Sequence, residues 1–222
     1  MTKADILHGL ELLDKRARQD GITVDVSVYG GAALVLAFDL NRVTRDVGVA
    51  VNDNANYVKQ VAAQIAEKQG WPESWLNDGV KGFLSAKEEM RALKDFEQNG
   101  EGGGVRIYTP SPEYLFAMKC MAMRPEGLDG SHDIADIQFL AKEIGIQNTE
   151  VALSLIEMFY PRSRIPAKVA FGVEEIMERI AQKTLPDVVE QAKSTESGHA
   201  RVRRIVSDAN RDHAARARPR PA

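Results

Sequence analysis

Four short groups of residues along the chain carry side chains that could do chemistry. The first is the pair Gly30 and Gly31, which follows a strand-like segment and opens an apolar stretch. Glycines let a phosphate approach the backbone, and the start of a helix offers unpaired N–H groups and a favourable dipole. The pair lacks the later glycine and lysine of dinucleotide-binding and Walker loops. A tight strand-to-helix turn with close packing also explains an isolated glycine pair.

The second group is Arg42, Thr44 and Asp46, which follows the glycines at the start of the next predicted strand. Residues two apart on a strand point to the same sheet face, so position 48 shares the face of Asp46. Two carboxylates so placed could hold Mg²⁺ and a triphosphate. Position 48 is glycine, and Gly48 leaves Asp46 as the one carboxylate of such a pair. Arg42 and Thr44 also suit an ordinary surface turn.

The third and fourth groups lie on predicted helices in the second half of the chain. Lys119 stands among apolar residues, where its ammonium could reach a phosphate or its stem could cover apolar surface. Asp133 and Asp136 are three residues apart and share a helix face. They suit a general base or a partner for Lys119, and they would equally complement the helix dipole.

The elements that must position these residues alternate between strand and helix in the first half and are helical in the second. This pattern predicts an α/β (α+β) fold: a mixed sheet with flanking helices, followed by a helical C-terminal region. We predict a core at 1–110, a helical region at 111–185 and a basic tail at 186–222. Alternation predicts strands at 23–29, 46–51 and 105–108, and helical spacing predicts helices at 3–19, 32–38, 55–69, 111–123, 131–143, 149–160 and 171–183.

Length and composition exclude several classes of protein. The chain has 222 residues, of which 44% are hydrophobic and 27% charged, and it is long enough to bury a core. This excludes a disordered chain, a disulfide scaffold and a fibrous repeat. The single cysteine, Cys120, cannot form an internal disulfide, which favours a reducing cytoplasm. The longest apolar stretch, 32–38, is far short of the roughly 20 residues that span a bilayer, and no signal peptide is visible, so we expect no membrane partner.

Charge is distributed unevenly although the net charge is only -3. Residues 193–222 hold eight Lys and Arg against three Asp and Glu. Basic tails often meet nucleic acid or an acidic partner, and a solvated terminus is the simpler explanation. The arginines concerned are Arg201, Arg203, Arg204, Arg211, Arg216, Arg218 and Arg220.

Taken in order, the four groups resemble the nucleotidyltransferases of the polymerase-β superfamily. The shared pattern is a strand, Gly-Gly-x-Ala-Leu, a helix, Arg-x-Thr-x-Asp, then Ser-Pro-Glu-Tyr-Leu-x-Ala-Met-Lys and Asp-x-x-Asp-Ile. It covers roughly residues 20–165. Within that superfamily, the pattern looks most like that of the AbiEii-like and MenT-like toxins of bacterial toxin–antitoxin pairs.

The resemblance implies a role for each matching residue. Gly30 and Gly31 would lie beneath the triphosphate of an NTP substrate, with Arg42 and Thr44 lining the same turn. Asp46 would be a Mg²⁺ ligand, and Lys119 would contact the phosphates. Asp133 and Asp136 would act as a base or orient the substrate. The resemblance also implies a toxin that transfers a nucleotide to RNA (a tRNA end) or to protein, and a cognate antitoxin as partner.

One departure from the family pattern leaves the activity open. The second metal acid of the family should stand at position 48, which is Gly48 here, and strand 105–108 offers no third acid. Losing a ligand from a two-metal site removes several kcal/mol of charge stabilisation. The protein is then a degenerate binding module acting through a partner protein or nucleic acid, a one-metal enzyme using Asp46 and another acid, or a chain in which Gly48 is an introduced, silencing change.

Overall fold

The computed structural model describes residues 1–40, 42–93, 96, 103–123 and 132–193. Two compact units make up the chain, Met1–Ile176 and Met177–Ala222. The sheet and the candidate site belong to the first unit, and the described residues of the second, 177–193, are helical. No helix among the described residues is both long enough and apolar enough to cross a membrane. The predicted tail at 186–222 lies largely outside the described residues, and the division into three regions stays a prediction.

A five-stranded mixed sheet forms the centre of the first unit, in the order β3-β2-β1-β5-β4. Strand β1 pairs antiparallel with β2 and parallel with β5, while β3 runs parallel to β2 and β4 antiparallel to β5. The predicted mixed sheet with flanking helices and a helical C-terminal part is therefore confirmed. The strands are β1 Thr23–Tyr29, β2 Val47–Val51, β3 Leu76–Asn77, β4 Met90–Ala92 and β5 Gly104–Pro110.

Seven helices surround or follow the sheet, and three short 3-10 turns connect elements in the described chain. The helices are α1 Lys3–Gln19, α2 Gly30–Phe38, α3 Ala55–Gln69, α4 Pro112–Ala122, α5 His132–Ile144, α6 Thr149–Phe159 and α7 Ala167–Lys193, and the 3-10 turns are Glu73–Trp75, Gly79–Phe83 and Arg162–Arg164. Thr2 caps α1 in a capping box with Asp5, and Ser111 caps α4 ahead of a proline in its first turn. These caps fix where the helices begin.

The two faces of the sheet differ because side chains alternate along each strand. One face is apolar and buried beneath helices, with Val26 of β1, Val49 of β2 and Ile107 of β5 each no more than 4% exposed. The other face carries Gly48 and half-buried polar residues, including Asp25 paired with Arg106. Helix α4 leaves β5 and packs against α5 and α6. This arrangement brings α4 and α5 toward the connection between α2 and β2.

Candidate functional site

The connection from α2 to β2 is joined to α5 by a partly buried ion pair. The Arg42 guanidinium donates two hydrogen bonds to the Asp136 carboxylate, one of them from Nη2 to Oδ2 at 3.1 Å. Asp136 is 1% exposed. Two parallel N–H···O bonds give this pair a defined geometry as well as charge attraction. Arg42 and Asp136 are 94 positions apart in the chain, so tertiary packing brings them together.

Lys119 of α4 completes a cluster of four charged residues. Its Nζ lies 2.7 Å from Asp136 Oδ2 and 3.1 Å from Asp133 Oδ1. The two aspartates present both carboxylates to α4 because they are three residues apart on α5. We call Arg42, Lys119, Asp133 and Asp136 the ion-pair cluster. Its two positive and two negative charges balance, so the cluster neutralises itself and presents no surplus positive charge to a phosphate.

The glycine pair lies beside the ion-pair cluster and its two members differ. Gly30 adopts a φ of 66°, a conformation that favours glycine, and a Cβ there would meet no atom within 4 Å. At Gly31, by contrast, a Cβ would lie 3.1 Å from Thr44 Oγ1 and 3.3 Å from Arg42 Nη2. Close packing therefore explains Gly31, while open space above Gly30 leaves room for a ligand. Tyr29 provides no side-chain cap to α2, so within the described residues the N–H groups at the helix start lack a capping side chain.

Asp46 lies one residue before β2, in the segment that Arg42 begins. Thr44 Oγ1 donates a hydrogen bond to the main-chain oxygen of Asp46 at 3.0 Å. This bond stabilises the backbone of the turn and does not involve the Asp46 carboxylate. Within the described chain, the Asp46 carboxylate has neither a hydrogen-bond nor an ion-pair partner. Asp46 is half-buried and remains available to a ligand.

The space beside Gly48 is filled by another residue. A Cβ at Gly48 would lie 2.6 Å from Val80 Cγ1, closer than side-chain carbons approach one another. Val80 belongs to the 3-10 turn Gly79–Phe83, which follows β3. An aspartate at position 48 therefore requires Val80 to move.

The segment that carries Val80 is fixed by two side chains that the sequence did not single out. Tyr160 Oη donates to the Phe83 carbonyl oxygen at 2.6 Å. Arg164 donates to the Gly82 oxygen at 2.9 Å and to the Leu84 oxygen at 2.8 Å, and its guanidinium lies over the Tyr160 ring. Three successive carbonyl groups are thus held, so Val80 sits on a well-anchored turn. Nothing in the local sequence pairs 82–84 with 160–164.

Three tyrosine phenols at or near this turn, and the thiol of Cys120 on α4, are buried and uncharged. Burial raises the pKa of the Tyr29, Tyr114 and Tyr160 phenols above their usual range. Burial also raises the pKa of the Cys120 thiol on α4, which makes that cysteine a poor nucleophile. Neither group supplies an anion for a metal at neutral pH.

Mg²⁺ fits these residues poorly. It prefers octahedral oxygen coordination, and a two-metal site needs carboxylates shared between the ions. Asp46 offers one carboxylate, position 48 offers none and has Val80 beside it, and Asp133 and Asp136 are paired with cations. The described part of the chain contains no group of three or more His, Cys, Asp or Glu residues that could hold a metal ion.

The structure brings most of the predicted site residues into one neighbourhood. Packing joins Gly31, Thr44 and Arg42, and ion pairs join Arg42, Lys119, Asp133 and Asp136. The arginines predicted to contact RNA lie outside the described residues. Comparison of the chain with protein-family models, with curated proteins and with solved structures finds no match.

Proposed function

We propose that this protein is a catalytically degenerate nucleotidyltransferase-fold module that acts by binding a partner protein or nucleic acid. The observation that carries the proposal is the contact between positions 48 and 80. Gly48 is more than a missing carboxylate, because Val80 occupies the space that a side chain there would need. Gly48 and Val80 together form an apolar contact at the position where the family pattern has a metal-binding carboxylate.

Charge balance in the ion-pair cluster supports the same conclusion. A transferase has to neutralise a triphosphate, and Lys119 would have to leave a carboxylate to do so. Asp136 is nearly inaccessible and forms ion pairs with both cations, so it serves as an anchor between structural elements. A proton acceptor for an incoming hydroxyl has to be reachable, and this carboxylate is not.

Nucleotide binding without transfer is consistent with the remaining features. Within the described residues, the N–H groups at the start of α2 lack a capping side chain beside the open space at Gly30, and phosphates bind at such helix starts. Arg42 Nε has no hydrogen-bond acceptor within the described residues, but the atom is buried, so a ligand oxygen could reach it only after neighbouring side chains move. An NTP is therefore the small ligand to test first.

A second candidate is an active toxin that transfers a nucleotide from an NTP to tRNA or another acceptor in the cytoplasm, under control of a cognate antitoxin. Two observations favour it. The sequence motifs converge in space, and the Asp46 carboxylate is unengaged within the described residues. This candidate requires Mg²⁺ to be held by Asp46 together with the phosphates of the NTP itself.

A transfer assay with three proteins separates the two candidates. The proteins are the native chain, Gly48→Asp, and Gly48→Asp combined with Val80→Ala, which makes room for the new side chain. Each is given Mg²⁺, each radiolabelled NTP in turn, and total tRNA or a cell lysate. We expect no label transfer by the native chain or the single variant, while calorimetry detects NTP binding to the native chain. Label transferred by the native chain would overturn the proposal and establish the second candidate.

The nucleic-acid part of the proposal rests on the basic tail alone. We expect removal of residues 193–222 to weaken RNA binding and to reduce its dependence on salt, because fewer phosphates are neutralised. Filter binding at two salt concentrations measures both. Equal RNA affinity with and without the tail would leave a protein as the partner.

A further inference from the structure

A cavity of about 480 Å³ lies between α3 and the β2–β3 edge of the sheet. Its volume falls within the roughly 300–1,000 Å³ of ordinary ligand pockets. The lining includes neither Asp46 nor any member of the ion-pair cluster. Val49 and Val51 line it from the sheet, and alternation along β2 places them on the face opposite Gly48. The cavity is therefore separate from the candidate site described above.

The floor of the cavity is apolar and its rim is polar. Val49 and Val51 of the sheet and Val58 of α3 provide aliphatic surface. Four charged residues stand around the rim: Lys59, Glu73, Asp78 and Lys81. An apolar floor with a few polar groups around it is the usual construction of a binding pocket.

The sheet edge beside the cavity is left open by the shortness of β3. Strand β3 has two residues, which pair with Val47 and Gly48 of β2. Strand β2 continues to Val51, and among the described residues no strand lies on the outer side of its last part, 49–51. Such an edge presents backbone N–H and C=O groups that another extended chain can pair with.

Rim charges argue against a polyanion as the occupant. Lys59 and Lys81 are balanced by Glu73 and Asp78, and Asp78 already pairs with Lys81 at 2.6 Å. Within the described residues, Lys59 and Glu73 form no direct ion pair, although Lys59 is close enough to help lower the pKa of Asp78. A nucleic acid needs surplus positive charge. A peptide, which carries both signs and a neutral backbone, suits this rim.

We propose that this cavity is a peptide-binding site in which an extended segment of a partner protein pairs with the β2 edge at 49–51 and inserts one apolar side chain between Val49, Val51 and Val58. The main chain of the peptide continues the line of β3, and strand addition of this kind gives affinity through backbone bonds and selectivity through the pocket. Three open edge positions match a peptide of about four or five residues at roughly 3.3 Å per residue. The site is independent of NTP binding.

The test uses the full chain labelled with ¹⁵N and a pool of acetylated, amidated pentapeptides. The central residue of the peptides is Val, Leu, Ile, Phe or Met, and the other positions vary among Lys, Glu and Thr. We expect peptide-dependent shifts in the amide resonances of 49–51 and of neighbouring α3 residues. N-methylation of alternate peptide amides should weaken binding at least about tenfold, because it removes backbone donors.

Two variants make the test specific to the cavity. Ala63→Phe fills the cavity from α3, and we expect it to weaken peptide binding about tenfold or more. Gln60→Phe adds the same side chain at an exposed α3 position outside the lining and should leave binding unchanged. Equal melting temperatures show that both variants are folded.

Three results would overturn the proposal. One is the absence of shifts at 49–51 with the whole pool. Another is equal binding of N-acetylvalinamide and the peptides, which would indicate a small-molecule pocket. The third is a concentration-dependent dimer that perturbs 49–51 and is not displaced by peptide, which would make the edge an interface between copies.

Discussion

The two ends of segment 42–48 show opposite chemistry. At one end Arg42 enters the ion-pair cluster with Lys119 and Asp136, where every charge has a partner of opposite sign. At the other end Gly48 packs against Val80, in a region of buried phenols and backbone carbonyls. Asp46 lies between them. The comparison shows that charges pair where they join distant elements, and that Val80 occupies the space beside Gly48, where the family resemblance predicted a second metal ligand.

The largest expected effect follows from removing the shared anion of the ion-pair cluster. Asp136→Asn leaves Arg42 and Lys119 without their common partner in a largely buried setting. We expect the free energy of unfolding to fall by about 3–5 kcal/mol, as for other broken buried pairs. Urea denaturation measures it. Asp133→Asn is the matched control and should lower stability less, because Asp133 is more exposed and binds Lys119 alone. Equal losses would mean that Asp136 is not the anchor.

Alkaline pH should lower the free energy of unfolding, because the folded chain buries three phenols and a thiol in their neutral forms. The raised pKa values of Tyr29, Tyr114, Tyr160 and Cys120 mean that their neutral forms are favoured in the folded chain. Their contribution to stability is complete below the unfolded pKa values, about 8.5 for Cys and 10 for Tyr, and is lost as pH rises toward the folded values.

At pH 10 the combined loss should be about 3 kcal/mol relative to pH 7, with Cys120 providing the larger part. Urea denaturation at pH 7, 9 and 10 checks this. Cys120→Ala should remove the loss of stability that begins below pH 9 and leave the loss that is due to the tyrosines. Unchanged stability from pH 7 to 10 would show that these groups titrate normally in the folded state.

A methyl group at position 48 tests the packing against Val80 directly. Gly48→Ala should lower the free energy of unfolding by about 1–3 kcal/mol, as overpacking does elsewhere. Val80→Gly in the same chain should recover part of that loss, giving a coupling energy of about 0.5–3 kcal/mol in a double-mutant cycle. Gly82→Ala, where a Cβ meets nothing within 4 Å, is the control. Strict additivity of the two changes would show that the contact is absent.

The smallest effect is expected outside both regions. Arg106 and Asp25 form an ion pair on the exposed sheet face, with their side chains 47% and 37% exposed. Arg106→Ala should lower stability by less than about 1 kcal/mol, because water and salt screen such pairs. A loss as large as that of Asp136→Asn would remove the distinction between buried and exposed pairs.

Much of the fold was predictable because its signals are local. Alternating valines mark β1, and the Ser-Pro-Glu start places α4 at Pro112, within one residue of the predicted helix start. Helix α7 begins at Ala167, ahead of the predicted start at 171, and none of the predicted strands covers β4 at Met90–Ala92. Short edge strands carry too few residues for a periodic signal.

The candidate site was predictable only in part. Order along the chain suggested Gly31, Arg42, Lys119, Asp133 and Asp136, and the structure brings them together. Which of these side chains pair with one another could not be predicted, because the sequence is equally compatible with Arg42 binding a phosphate and with Arg42 binding Asp136. Val80, Tyr160 and Arg164 gave no sequence signal, because a valine in a turn, a tyrosine at the end of a predicted helix and an arginine just after that helix look ordinary until folding places them.

The sequence by itself determined the residue types: one carboxylate at 46, glycine at 48, a lysine in an apolar helix, and two aspartates one helical turn apart. These residue types limit which metal-binding and acid–base reactions the protein could support in any fold. Tertiary structure alone decided which charges meet and what fills the space at Gly48, because both depend on contacts between residues more than 30 positions apart. Local propensity specifies elements, whereas packing of distant elements specifies partners.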